Sequence, residues 1–318
     1  MERRKWATPS TMRSKLMLEV CSELVGVQSW KEKWASVSLR VQGDANTGFD
    51  LLGSDSPAAI DVVARGDAHI ALINPAAPLA VAYRGKGSFR APIPLRAIAV
   101  IPSYDQLAFA VAERTGLTSL AEIKEQHYPL RLSLRDEPQH SVRFFVEHVF
   151  AKLGFSLDDV VGWGGEVTYD RGFVFERRLA AVQRGEVDAL FDEAVENWVG
   201  PALDSGMRVL ALDASLLDQL EADGFRRAVL PRNQYPKLPA DVPTLDFSGW
   251  PMYTLASAPD ALIGPFCAAL ESRKASIPWQ GTGPLPLESM CRDSAEGPLD
   301  IPLHPAAEAF WRERGYLT

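Results

Sequence analysis

Two short stretches hold the residue types best suited to chemistry. In "LRLSLRDEPQHSVRFF", Arg135, Gln139, His140 and Ser141 lie between an apolar run and a helical pattern. In "VDALFDEA", Asp192 and Glu193 end a second apolar run. A guanidinium at a strand end pairs bidentately with a carboxylate. N–H groups in the first turn of a helix favour an anion, and His140 and Ser141 sit there. An imidazole or a pair of adjacent acids can also move protons near neutral pH. Simpler readings stand beside these. Arg135 can pair with Asp136, Glu137 or another local carboxylate. Asp192 and Glu193 can complement a helix dipole.

Metal and cofactor chemistry find no pattern here. His140 and His148 are eight positions apart, so they make no i,i+4 metal pair. His148 falls off the apolar stripe Val142, Val146, Val149 and Leu153 and reads as a solvated face residue. Cys21, Cys267 and Cys291 form no CxxC or zinc spacing. They read as buried free thiols, which fits a reducing compartment. Neither GxGxxG nor GxxxxGK[ST] occurs, and "GWGGE" at 162–166 lacks that spacing. No cofactor and no metal are expected.

Composition narrows the partners. The net charge of -8 gives no basic excess to neutralise phosphates, so a nucleic-acid partner is excluded. No window of about 18 apolar residues predicts a membrane span. Lys15, Glu19 and Glu23 interrupt the only candidate leader segment. A cytoplasmic location is expected from the sequence as written, and a periplasmic one if the N-terminus is trimmed or mis-started.

The elements that must position these residues follow from periodicity. A helix is predicted over 12–26, a strand over "ASVSLRVQG", and a loop over 43–50. Strand and helix then alternate to about residue 230. That pattern predicts α/β units with parallel strands and helices on both faces. "LPRNQYPKLPADVP" reads as an extended proline-rich excursion, and "LDFSGWPMYTLAS" as a strand returning to the sheet. Helices over "PDALIGPFCAALESR" and "PAAEAFWRERG" close the chain. The whole suggests two hinged lobes.

Open α/β sheets bind ligands at the carboxyl ends of their strands. That rule gathers the loops 43–50, 74–76, 102–106, 135–141 and 192–193. It adds Asn46, Thr47, Asn74, Ser103 and Tyr104 to the candidate ligand-binding residues, beside Arg135, Gln139, His140, Ser141, Asp192 and Glu193. For Asn46 and Thr47 a turn closing on itself is the competing reading. For Asn74 it is a helix cap, and for Ser103 and Tyr104 a plain turn. Phe49 suits either a pocket wall or the core. Trp163 and Trp198 read as core, and His304 as structural.

"AVAYRGKGSF", "PLRAIAVIPSYDQLAFAV", "RRLAAVQRGEVDALFDEA", "FRRAVLPRNQYPKLPADVPTLDFSGW" and "IPLHPAAEAFWRERGY" occur in that order. Together they resemble the TAXI family, the solute-binding proteins of TRAP transporters, over roughly residues 36–316. The resemblance implies a type 2 periplasmic-binding-protein fold: α/β, with two Rossmann-like lobes joined by a hinge. Residues 1–104 plus 230–318 would form one lobe and 105–229 the other. It further implies a small organic acid or amino acid held in the interlobe cleft, and TRAP membrane subunits as partners if the chain is exported. The chain departs from the family in showing no export signal, and in having "RDEPQHS" where small residues are usual.

Two functions follow. The first is non-catalytic binding of a small carboxylate by lobe closure. The second is a cytosolic, cofactor-free decarboxylase, lyase or isomerase on the same fold, with His140 and Glu193 as its catalytic groups.

Overall fold

The computed structural model describes residues 9–26, 34–41, 44–135, 139–170 and 175–318. Two mixed sheets carry the helices. The first orders its strands as Trp34–Val41, Asp44–Ser54, Ile70–Leu72, Trp250–Leu255 and Leu95–Ile101. The second runs Arg227–Leu230, Val242–Asp246, Gln106–Ala112, Ala189–Asp192, Arg131–Arg135 and Glu166–Asp170. Met207–Val209 also pairs with Gln106–Ala112. The fold class expected from the sequence holds: α/β, with two sheets bridged by two crossing segments.

Local rules account for the elements. "QLAFAVA" at 106–112 is buried along its whole length, as expected of a strand covered on both faces. Helix Ser141–Leu153 starts at His140 and stops at Gly154, whose left-handed backbone (φ 79°) closes the last turn. Ser156 and Asp159 form a reciprocal capping box on helix Leu157–Gly162. That helix and the strand Glu166–Asp170 were not anticipated. "GWGGE" is the turn between them. A Cβ on Gly165 would lie 2.5 Å from the Leu130 carbonyl oxygen, so glycine permits a close backbone approach there.

The sheets are mixed, where parallel strands were expected. Trp250–Leu255 runs antiparallel to both of its neighbours, and Gln106–Ala112 to all of its own. Both strands follow a crossing from the other sheet. No right-handed crossover within their own sheet therefore constrains them to be parallel. The 43–50 segment is no loop. Asp44–Ser54 is a strand in a hairpin with Trp34–Val41. Polar residues on a half-solvated edge pair read like a loop, which misled the pattern.

Much of the proline-rich excursion is a hairpin as well. Arg227–Leu230 pairs antiparallel with Val242–Asp246, and Pro231, Pro236 and Pro239 fall in the connection. Both strands belong to the second sheet, so a division at residue 230 cuts through a hydrogen-bonded pair. The chain crosses between sheets at 102–105 and again at 247–249. The crossings are bonded to each other: Phe247 N–H donates to the Asp105 carbonyl at 2.9 Å, and Gly249 N–H to that of Ser103 at 2.8 Å.

Helix Ala77–Arg84 of the first sheet packs on the second half. Ala77 and Val81 share one apolar core with Phe145, Leu216, Leu220 and Phe247. This covering also corrects the reading of His148. It is buried, with Nε2 2.8 Å from Asp223 Oδ2 and its ring 4.8 Å from that of Phe225. Helix Ser141–Leu153 has neighbours beyond its apolar stripe, so an off-stripe position is still covered. Burial holds the His148 imidazole below its usual range, against the pull of Asp223. Cys267 and Cys291 are buried as expected, with thiols pushed up to about 12 by burial, whereas Cys21 is exposed.

Candidate functional site

Strand ends from both sheets meet at a seam. The Ser141 hydroxyl, on the second half, lies 2.7 Å from the Asp55 carbonyl and 2.5 Å from the Asn74 carbonyl, both on the first. A hydroxyl has one proton, so it serves one of these acceptors at a time. Asn74 precedes a cis Pro75. His140 caps the same helix: its Nδ1 accepts from Val142 N–H at 3.1 Å. A neutral ring therefore carries its proton on Nε2, which lies 3.9 Å from Asp55 Oδ2.

A buried ionic cluster lies at the neighbouring strand ends. Arg135 ends strand Arg131–Arg135, and its Nε donates to Asp192 Oδ1 at 2.8 Å while Nη1 bonds to Glu193. Arg178, in helix Phe175–Gln183, bonds the other Asp192 oxygen. Its remaining nitrogens hold Ser133 Oγ at 3.0 Å and the Ser133 carbonyl at 2.9 Å. Glu193 N–H also donates to Asp192 Oδ1, at 2.8 Å. The Phe175 ring faces both guanidiniums, 5.9 Å from Arg135 and 5.6 Å from Arg178.

Asp105 ties this cluster to the crossing. Its carboxyl accepts from Ala194 N–H at 2.7 Å and from Gln106 N–H at 2.7 Å, and it is hydrogen-bonded to Glu193. Ala194 sits in the left-handed region (φ 56°), uncommon for a residue with a Cβ. Burial pushes Glu193 well above the usual carboxylate range, opposed by Arg135 and reinforced by Asp105. Burial raises Asp105 too, against its hydrogen bonds.

The predicted residues divide as follows. Asn74, His140 and Ser141 come together at the seam. Arg135, Asp192 and Glu193 come together in the cluster, so Arg135 pairs with acids 57 and 58 positions away. Ser103 lies on the crossing, but its hydroxyl donates to Gln280 at 2.9 Å. Tyr104 is exposed, as is Gln139 beside the seam. Asn46 and Thr47 fall within strand Asp44–Ser54, with side chains outside the described residues. Phe49 stacks on Phe266, and Trp198 is core, donating to the Glu193 carbonyl at 2.8 Å. His304 caps the last helix through Ala306 N–H, a structural role.

Arg178, Asp105 and Asp55 were missed as site residues. "FERR" was a usable signal for Arg178, because a cation in the first turn opposes the helix dipole and needs another reason to be there. Nothing in the sequence singled out Asp55. Among the described residues, no three His, Cys, Asp or Glu side chains could hold a metal ion, and no helix is long and apolar enough to cross a membrane.

No family model matches the chain. It is similar to the alkanesulfonate-binding protein SsuA from Xanthomonas axonopodis pv. citri bound to MOPS: 16% identity, TM-score 0.32, 69% of this chain and 62% of that one. For the periplasmic aliphatic sulphonate binding protein SsuA from Escherichia coli the values are 15%, 0.32, 69% and 56%. For XAC2383 from Xanthomonas citri bound to chloride ion they are 11%, 0.39, 71% and 70%. The chain thus spans less than two thirds of the length of either sulfonate-binding protein. Likeness this distant assigns no family, ligand or activity.

Proposed function

We propose that this chain binds a small organic anion, a carboxylate or a sulfonate, between its two halves and does not transform it. The observation that carries this reading is the seam, where Ser141 at a helix N-terminus meets the strand-end carbonyls of Asp55 and Asn74. It brings backbone N–H groups, a hydroxyl and the proton-bearing His140 Nε2 to the edge where α/β sheets take ligands. Arg135 lies at the neighbouring strand end. The finer form of the proposal is a TAXI-like receptor, handing its ligand to TRAP membrane subunits in an exported form.

Isothermal titration against a panel of small carboxylates and sulfonates tests it. At least one should bind, and Ser141→Ala and Arg135→Met should each weaken that binding at least about tenfold, or about 1.4 kcal/mol. Absence of binding across the panel defeats the reading. One observation favours a cofactor-free lyase or decarboxylase instead: Glu193, hydrogen-bonded to Asp105, is poised to hold a proton. Following the bound compound by NMR separates the two, since a binder returns it intact.

A further inference from the structure

The buried cluster holds two guanidiniums, Arg135 and Arg178, and three carboxyls, Asp105, Asp192 and Glu193. Asp192 accepts from both guanidiniums and from a backbone N–H, which is the bonding of an ionised carboxylate. Those three side chains carry one net positive charge. Asp105 and Glu193 are hydrogen-bonded to each other, and two carboxyls make that bond only when one of them holds a proton. The pair therefore carries one negative charge, and the five side chains together are neutral.

An anion reaching Arg135 exchanges with the Glu193 carboxyl, because that carboxyl occupies the guanidinium's Nη1. The cluster then has one negative charge too many. An uncompensated buried charge is strongly unfavourable. A second proton on the Asp105–Glu193 pair cancels it. We propose that binding of a monoanion at Arg135 is coupled to the uptake of one proton by the Asp105–Glu193 pair. This rests on the anion-binding reading above and adds its linkage to pH.

Other groups around the pair fit this assignment. Arg135 faces Glu193 from strand Arg131–Arg135, and Asp192 adjoins it on its own strand. Asp105 receives backbone N–H groups of Gln106, Ala194 and Val195, which stabilise its charge and leave Glu193 as the better proton holder. Tyr235 lies close by, its hydroxyl pushed up to about 12 by burial first and then by Glu196 and Asp105, so it stays protonated.

The linkage sets the direction. Where the unliganded pair holds one proton, each rise of one pH unit weakens anion binding about tenfold. Where the pair is already doubly protonated, binding does not vary with pH.

Calorimetric titration with methanesulfonate tests this, because that anion stays ionised and brings no proton of its own. Acetate serves as the carboxylate probe. Tris and triethanolamine are suitable buffers, since their protonated forms are cations with different ionisation enthalpies. The expected result is uptake of close to one proton per anion at pH 8, with the Kd rising about tenfold per pH unit between pH 7 and 9. Glu193→Gln, which removes the titrating group, should flatten that profile. The proton count on the unaltered chain decides the matter whether or not the variant folds. An anion that binds with no proton taken up, at a Kd constant over this range, overturns the linkage and leaves the binding reading intact. No binding of either probe from pH 5.5 to 9 overturns the site at Arg135 together with the linkage; binding of other panel members would then be needed to keep the broader reading.

Discussion

Arg178 and Arg135 approach Asp192 from two elements, one guanidinium on each carboxylate oxygen, with Arg135 Nε 2.8 Å from Oδ1. The carboxylate is fully buried, so its charge is balanced by these arginines and not by water. Removing one partner of a buried pair leaves an uncompensated charge, at about 3–5 kcal/mol. Asp192→Asn should lose stability of that order in urea unfolding. A loss under about 1 kcal/mol would show that the two guanidiniums are satisfied without it.

Gly224 ends helix Ala214–Asp223 with φ 125°, and a Cβ placed there would lie 2.9 Å from the Ala80 carbonyl carbon and from Val81 N. Those atoms are backbone of the other half and cannot rotate away. Gly224→Ala should cost about 3 kcal/mol, combining backbone strain with overpacking. Gly66 is the control: its φ is 80°, but nothing lies within 4 Å of its Cβ position. Gly66→Ala should cost only about 1 kcal/mol. Equal thermal shifts for the two variants would mean that the halves do not press together at Gly224.

Asp246 stands beside the second crossing, where burial pushes its carboxyl up to about 6 against the Ser248 hydrogen bonds. The Ser248 hydroxyl lies 2.6 Å from Asp246 Oδ1 and 3.0 Å from the Asp105 carbonyl, so it links both crossings. The folded value exceeds the unfolded one of about 3.9. The folded chain therefore binds more protons between these values, and that stability is present below pH 4 and lost as pH rises through 6. The loss is on the order of 3 kcal/mol. Asp246→Asn should reduce the fall in Tm between pH 4.5 and 8. An unchanged fall would assign the pH dependence to other groups.

Cys21 is exposed, whereas Cys267 and Cys291 are buried with thiols pushed up to about 12. Only the thiolate alkylates. Brief iodoacetamide treatment at pH 8 should add one adduct to the native chain, mapped by mass spectrometry to Cys21, and three after unfolding. Labelling of Cys267 or Cys291 in the native chain would place them nearer solvent than their packing indicates.

Much of the fold could be read directly because its signals are local. Gly154 ends a helix, Ser156 begins one, and the apolar run 106–112 is a buried strand wherever the chain takes it. The strand-end rule correctly drew Arg135 towards Asp192 and Glu193. It failed at residues 43–50, where an edge hairpin has the polarity of a loop, and at His148, which a second layer of helix covers.

By itself, then, the sequence determined the order of elements, their caps, the α/β class and the placing of Asn74, His140 and Ser141 at strand and helix ends. These depend on periodicity and on backbone groups within a few residues. Only the tertiary structure decided that Arg178 joins Arg135 on Asp192, that Ser141 meets Asp55 and Asn74, and that the sheets are mixed. Those pairings join residues 14 to 86 positions apart. They are selected by which strands become neighbours and by the need to balance charge once water is gone, and neither leaves a periodic trace in the chain.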